Sequence, residues 1–172
     1  MKIAVLGSAF DAPTLGHLDV INQCLEQFDE VWLVPSYKHA FGKKMSDYTH
    51  REKMAEAFTA DINNSHVKLV ACEPTIKVAA GKAIYSIDLL TFLKNKAPNN
   101  QYSLIIGPDN EASFDKFYQA DRLKAEFSPY VATEKVKIRS TLVRTAIKLG
   151  APTGHLLSTK VKNYILTTLL YL

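Results

Sequence analysis

The chain has 172 residues, 47% of them hydrophobic and 22% charged, which suffices for one buried core and excludes a disordered polymer. Its net charge of +4 is too small to imply a nucleic-acid partner and suits an anionic small substrate. Cys24 and Cys72 are the only cysteines and have no C-x-x-C partner; this excludes a disulfide scaffold or thiolate metal site and makes a reduced, cytoplasmic protein the expectation.

Residues 2–7 (Lys-Ile-Ala-Val-Leu-Gly) form a short apolar run closed by glycine, the pattern of a buried parallel strand. Residues 8–17 hold glycine and proline without a helical period and read as a loop. Leu18, Ile21, Leu25 and Phe28 then recur every three to four residues, so a helix starts near Gly16 and His17. A strand that turns through glycine into a helix N-terminus presents free amides and a positive dipole end, and anions bind there. Gly16 is expected to let a ligand approach the backbone.

Residues 30–35 predict a second buried strand, completing a βαβ unit with a right-handed crossover. The loop after it carries Lys38, His39, Lys43 and Lys44 at the strand edge where open α/β sheets bind ligands. A helix follows through Met54 and Phe58, then a third strand over 66–72 and a helix through Tyr85, Leu89 and Leu93. Residues 102–107 predict a fourth strand. Pro108 and Asp109 suit the first turn of the next helix, which is expected to carry Phe114 and Phe117. Residues 129–133 predict a fifth strand and 136–138 a very short sixth. Ser140 is the expected N-cap of a helix ended by Gly150, and residues 158–170 form a last helix. Neither the cysteine and histidine spacing nor any carboxylate pair predicts a protein-held metal. No apolar run approaches the ~18 residues that span a bilayer, and no signal-peptide pattern is present, so no membrane partner is expected. With no linker or repeat, residues 1–172 read as one α/β domain. It is a doubly wound parallel sheet of five to six strands with helices on both faces, plus C-terminal helices.

The string Gly7-Ser8-Ala9-Phe10-Asp11-x-Pro13-Thr14-x-Gly16-His17 resembles the G-[ST]-F-D-P-x-[HT]-x-G-H signature of the nucleotidyltransferase superfamily. Ala9 is an extra residue, Ala12 departs from the pattern, and Thr14 takes the first histidine's place. Ile138-Arg139-Ser140-Thr141-Leu142-Val143-Arg144 resembles the second signature, I-S-S-[TS]-x-[IV]-R, with Arg139 replacing serine. Read physically, it is a second anion site: hydroxyls and amides at a helix start, and a forked cation one turn on.

Within the superfamily the chain is similar to nicotinate and nicotinamide mononucleotide adenylyltransferases. Residues 104–109 look like their I-I-G-x-D, residues 83–90 their S-Y-T-x-D-T-L helix start, and residues 113–118 the segment whose aromatic residue stacks on the pyridine ring. Val161-x-x-Tyr164-Ile165 and Leu170-Tyr171 match their ending. The stretch between Phe127 and Ile138 is shorter than in most of that family. The nearest rival is a pantetheine-phosphate adenylyltransferase, whose opening Gly16-His17-Leu18-Asp19 resembles. A non-catalytic nucleotide- or RNA-binding module on the same sheet is the rival of another class.

The resemblance implies transfer of the adenylyl group of ATP to nicotinate or nicotinamide mononucleotide, with pyrophosphate released and Mg²⁺ carried by the ATP phosphates. It implies reacting-phosphate contacts from His17, Thr14, Lys43 and Arg144. For ATP it implies Gly7, Ser8, Ala9, Phe10, Gly16, His17, Gly107, Asp109, Ile138, Ser140, Thr141 and Arg144. For the mononucleotide it implies Lys43, Tyr85, Ser86, Asp109 and Phe117, with Phe117 in place of the stacking tryptophan. A homo-oligomer is compatible with the sequence; nucleic acid is not an expected partner.

Overall fold

The computed structural model describes residues 1–38, 42 and 44–172. Among them, five strands pair in parallel in the order β3-β2-β1-β4-β5: β1 (Lys2–Ser8), β2 (Glu30–Pro35), β3 (Val67–Leu69), β4 (Gln101–Ile106) and β5 (Tyr130–Val131). The helices are α1 (Leu15–Leu25), α2 (Tyr48–Ile62), α3 (Ser86–Lys96), α4 (Pro108–Ala112), α5 (Ala120–Phe127), α6 (Ser140–Lys148) and α7 (Thr159–Thr168).

The period-two geometry of a strand divides the core. Along β1, Ala4 and Leu6 join a cluster with Ile21 of α1, Phe58 of α2, Val143 of α6 and Val161 of α7. Ile3 and Val5 point the other way, into a cluster with Leu90 and Leu93 of α3 and Leu123 of α5. Helices therefore cover both faces, and the central strands are apolar on both sides, as a parallel sheet requires. The strand order reverses between β1 and β4, so the crevice of this doubly wound sheet opens beyond Ser8 and Ile106.

Several elements differ from the sequence expectation. Residues 136–138 form no strand; the Ile138 carbonyl accepts instead from the Thr14 hydroxyl at 2.7 Å. The third strand is reduced to Val67–Leu69. The helix expected through Phe114 and Phe117 is three pieces: α4, a 3₁₀ turn at Phe114–Lys116 and α5. Gln119, with φ at 56°, breaks the run because a left-handed residue cannot continue a helix. The N-cap of α6 is Arg139, and Ser140 is its first helical residue.

Candidate functional site: a two-part crevice at the sheet's reversal point

The first loop is fixed from below. Thr14 caps α1, fully buried: its hydroxyl oxygen accepts from the His17 N–H at 3.4 Å and donates to Ile138 O. In return the Thr14 N–H donates to His17 Nδ1 at 3.0 Å. That bond settles the tautomer: with Nδ1 accepting, the neutral ring carries its proton on Nε2. Nε2 lies 3.2 Å from Ser8 Oγ and donates to it. Burial lowers the His17 pKa to about 4, so the ring is a neutral, aimed donor at physiological pH. The ring of fully buried Phe10 packs against it at 5.1 Å between centroids.

Two residues here carry structural roles beyond the sequence expectation. The Thr14 hydroxyl is buried and bonded to the Ile138 carbonyl and the His17 N–H, so it positions His17. At Gly16, which also lines the larger hollow, the protein itself makes a close approach, since a Cβ would sit 2.5 Å from Ile138 O and 3.0 Å from Val136 O. A side chain there would push away the segment that walls the site.

Arg51 lies under the loops. Its side chain is 1% exposed, and its guanidinium donates to the carbonyls of Ala9 (2.9 Å), Ser36 (2.6 Å), Ser46 (2.9 Å) and Tyr37 (3.4 Å). A buried cation is tolerated when its donors are met, and these acceptors belong to the loops after β1 and β2. Asp11, also buried, accepts from the Ser46 N–H at 2.9 Å and from the hydroxyl of Tyr171, beyond α7. Its own carbonyl accepts from Arg144. Neither Arg51 nor Tyr171 stands in the phosphate signatures; an arginine opening an otherwise apolar-faced helix beside the basic loop was the available signal.

Two adjoining hollows result. The larger, about 460 Å³, has apolar walls from Leu6, Val20, Pro108, Ala132 and Ile138, with Gly16, Gly107, Asp109 and the start of α6 around them. Its polar edge includes His17, Asp19, Thr133 and Glu134. The smaller, about 270 Å³, is lined by Gly7, Ser8, Ala9, Asp11, Ser36 and Arg144 among others. Ser140 lines both and donates its hydroxyl to Ala12 O at 2.7 Å. Arg144, one turn along α6, also reaches Thr141 Oγ1 at 3.3 Å. At the rim the exposed Arg139 pairs with Asp109 at 2.8 Å and with Glu134 at 2.9 Å.

The two signatures thus meet across one crevice, with Phe10 and Thr14 beneath it. Tyr85, Ser86 and Phe117 line neither hollow. Phe117 is half-buried with one face stacked on Phe114 at 4.9 Å and 19°. The ring of its neighbour Tyr118, 49% exposed, lies 4.7 Å from that of Tyr85, which precedes α3. Lys43 and His39 lie outside the described residues.

Residues 5–148 match the cytidylyltransferase-like family. The chain belongs to that family. Within it, a curated nicotinate-nucleotide adenylyltransferase from Bacillus subtilis is 29% identical over 185 residues, covering 95% of each chain. A relative from Enterococcus faecalis assigned the same activity is 31% identical, covering 95% of this chain and 82% of its own. A crystal structure from Vibrio parahaemolyticus, assigned as a nicotinate-nucleotide adenylyltransferase, superposes with a TM-score of 0.84 at 34% identity over 96% of this chain and 98% of that one. The fold also matches a Plasmodium falciparum nicotinic acid mononucleotide adenylyltransferase complexed with NaAD, with a TM-score of 0.77 at 17% identity over 99% of this chain and 97% of that one. These relatives and structures each match 95% or more of this chain.

Proposed function

We propose that the protein, acting as one nucleotidyltransferase domain over residues 1–172, joins ATP and nicotinate mononucleotide into the dinucleotide and releases pyrophosphate, a step of NAD biosynthesis. The observation that carries the reading is the junction of the two hollows. A nucleoside fits the larger, half-apolar hollow, and a neutral imidazole N–H, helix N-terminal amides and Arg144 converge where its phosphates would lie. The names of the relatives support nicotinate as the acceptor base.

The mononucleotide's phosphate is already a nucleophile at neutral pH, so no protein base is required. One of its oxygens attacks the α-phosphorus of ATP in line; that P–O bond forms as the bond to the β-phosphate oxygen breaks, and pyrophosphate leaves with the electron pair. The chain's contribution is placement of two mutually repelling anions and stabilisation of charge as it spreads. His17 Nε2–H, freed from Ser8, donates to the transferring phosphate. Arg144 and the first amides of α6, with Ser140 and Thr141, hold the β- and γ-phosphates; Lys43 belongs to the same phosphate set. Gly7, Ser8 and Ala9 form the floor of the phosphate hollow, while Gly107, Asp109 and Ile138 border the nucleoside. Tyr85, Ser86 and Phe117 are assigned to the pyridine end of the mononucleotide. Among the described residues no three His, Cys, Asp or Glu side chains gather to cage a metal. Mg²⁺ is assigned to the triphosphate that would carry it, where it would neutralise phosphate charge.

No described helix is long and apolar enough to cross a membrane; the unpaired cysteines support a cytoplasmic site of action. The deciding experiment is pyrophosphate release from ATP with three acceptors. Turnover with nicotinate mononucleotide, exceeding that with its amide, is expected. Turnover only with phosphopantetheine, or with none, overturns the reading.

A further inference from the structure

We infer that Gln23, a residue of neither signature, is a positioning residue that sets the nucleoside-reading wall of the larger hollow and so its preference for adenine. This rests on the placement of ATP argued above. The wall is the segment from Thr133 to Ile138, four of whose residues line the hollow. Past β5 the sheet no longer holds this segment: the last ladder-like bond is Ala132 N–H to Ile106 O at 2.9 Å. Within the segment the backbone makes two short local turns, Lys135 N–H to Thr133 O and Ile138 N–H to Val136 O.

Beside the Arg139–Glu134 pair at the rim, what fixes it is α1, at both ends. At the far end the Thr14 hydroxyl holds Ile138 O, and Gly16 admits that carbonyl. At the near end Gln23, 8% exposed, grips Thr133 with both halves of its amide. Its Oε1 accepts from the Thr133 N–H at 3.0 Å and from the hydroxyl at 2.9 Å; its Nε2 donates to the Thr133 carbonyl at 2.9 Å. The side chain thus takes the place of a sixth strand's edge. Nε2 also donates to Asp19 Oδ2 at 2.9 Å, and Asp19 lines the same hollow. One amide therefore orients both a backbone segment and a carboxylate that face the base. Purines differ in the order of donors and acceptors along one edge, and a site rejects the wrong one only if its own polar groups are held to be left unpaired. Releasing Thr133 and Asp19 loosens that requirement.

The test is equilibrium binding of ATP and of GTP, alongside kcat and both KM values, in Gln23→Met and Gln23→Glu. The second keeps the shape and the acceptor but sets a carboxylate against Asp19 and the Thr133 carbonyl. Both are expected to weaken ATP binding about tenfold and cut the ATP-over-GTP preference about tenfold, with the mononucleotide KM and kcat within about twofold. If Gln23→Met does not fold, Gln23→Glu and Thr133→Val, which preserve side-chain volume, make the same comparison. A folded variant that melts earlier yet keeps the parent's ATP affinity and base preference overturns the inference, as does a parent that binds ATP and GTP equally. Binding is read with ATP or GTP alone, so failure of every pyridine acceptor would refute the proposed reaction without altering this result.

Discussion

The phosphate hollow and the aromatic edge proposed for the pyridine ring are built differently. Among the described residues of the proposed phosphate end, His17 is tied by Thr14 and Ser8, Arg144 by Asp11 and Thr141, and the loops by Arg51. At the edge proposed for the pyridine ring Phe117 leans on Phe114, Tyr85 on an exposed Tyr118, and neither ring is locked by a hydrogen bond among the described contacts. Phosphate chemistry is the same for any acceptor and rewards rigid placement. Recognition of one small ring rewards an adaptable apolar edge, where a change of acceptor costs little of the machinery.

The most severe way to break this contrast is His17→Ala. A preorganised neutral donor lost at the transferring phosphate should lower kcat by about 10²-fold or more, with KM values changed far less. Rapid-quench or steady-state kinetics checks it; near-normal kcat in a folded variant would remove His17 from the reaction. The same buried ring also leaves a signature in stability. Between its unfolded pKa of 6.5 and its folded value of about 4, the unfolded chain binds the extra proton. Stability contributed by the neutral ring is therefore present above pH 6.5 and is lost as the pH falls toward 4. Replacing His17 with Asn should flatten that part of the Tm profile.

Next in size is Arg144→Lys. Its guanidinium spans the Asp11 carbonyl and Thr141 while facing the smaller hollow, a fork that an ammonium does not reproduce. The ATP KM is expected to rise about tenfold while that of the mononucleotide moves less. If only the mononucleotide KM moved, the start of α6 would not be the triphosphate site.

The pyridine end should respond more weakly. Phe117→Ala removes a stacking face, worth on the order of 1 kcal/mol, and is expected to raise the mononucleotide KM about fivefold with the ATP KM nearly unchanged. Because Phe117 also packs on Phe114, the melting temperature must be read beside it. A large drop in Tm with an unchanged mononucleotide KM would make Phe117 a core residue and direct attention to the Tyr85–Tyr118 pair. Tyr118→Ala, at an exposed ring, then isolates that pair.

Much of the frame was legible from the residues. β1, β2 and β4 announce themselves because a central parallel strand is apolar on both faces, and the two helix starts that meet at the crevice are marked by glycine and hydroxyl residues. What stayed hidden depends on which groups face one another across the fold. Leu123 and Phe127 alone give too little period to announce α5. Residues 136–138 look like a strand, yet their carbonyl is claimed by Thr14. Gly16 is explained by Ile138, 122 positions away in the chain. Gln23 and Arg51 read as ordinary helix-surface residues until their partners, Thr133 and the carbonyls of Ala9, Ser36 and Ser46, are known.

The smallest effect concerns the support between the two ends, and its sign depends on pH. Glu73 is 5% exposed and accepts from the Tyr37 N–H at 2.6 Å, holding the start of the loop that leaves β2. Burial outweighs that bond and the nearby Arg51 charge and raises its pKa to about 7. Between pH 4.5 and 7 the folded protein therefore binds the proton that the unfolded chain releases, so burying this carboxyl costs progressively more stability as the pH rises through that window. Glu73→Gln keeps an acceptor for Tyr37 and removes the charge. At pH 8 it should raise stability by about 1 kcal/mol, or Tm by about 2–4 °C, the amide's weaker hydrogen bond offsetting part of the gain. At pH 5, where the parent's carboxyl is already protonated, the difference should vanish or change sign. Paired melting curves at the two pH values check it. A variant less stable at pH 8 than the parent would mean that the carboxylate is held ionised by Tyr37 and Arg51, and that the loop after β2 is tied by charge as firmly as the phosphate loop beside it.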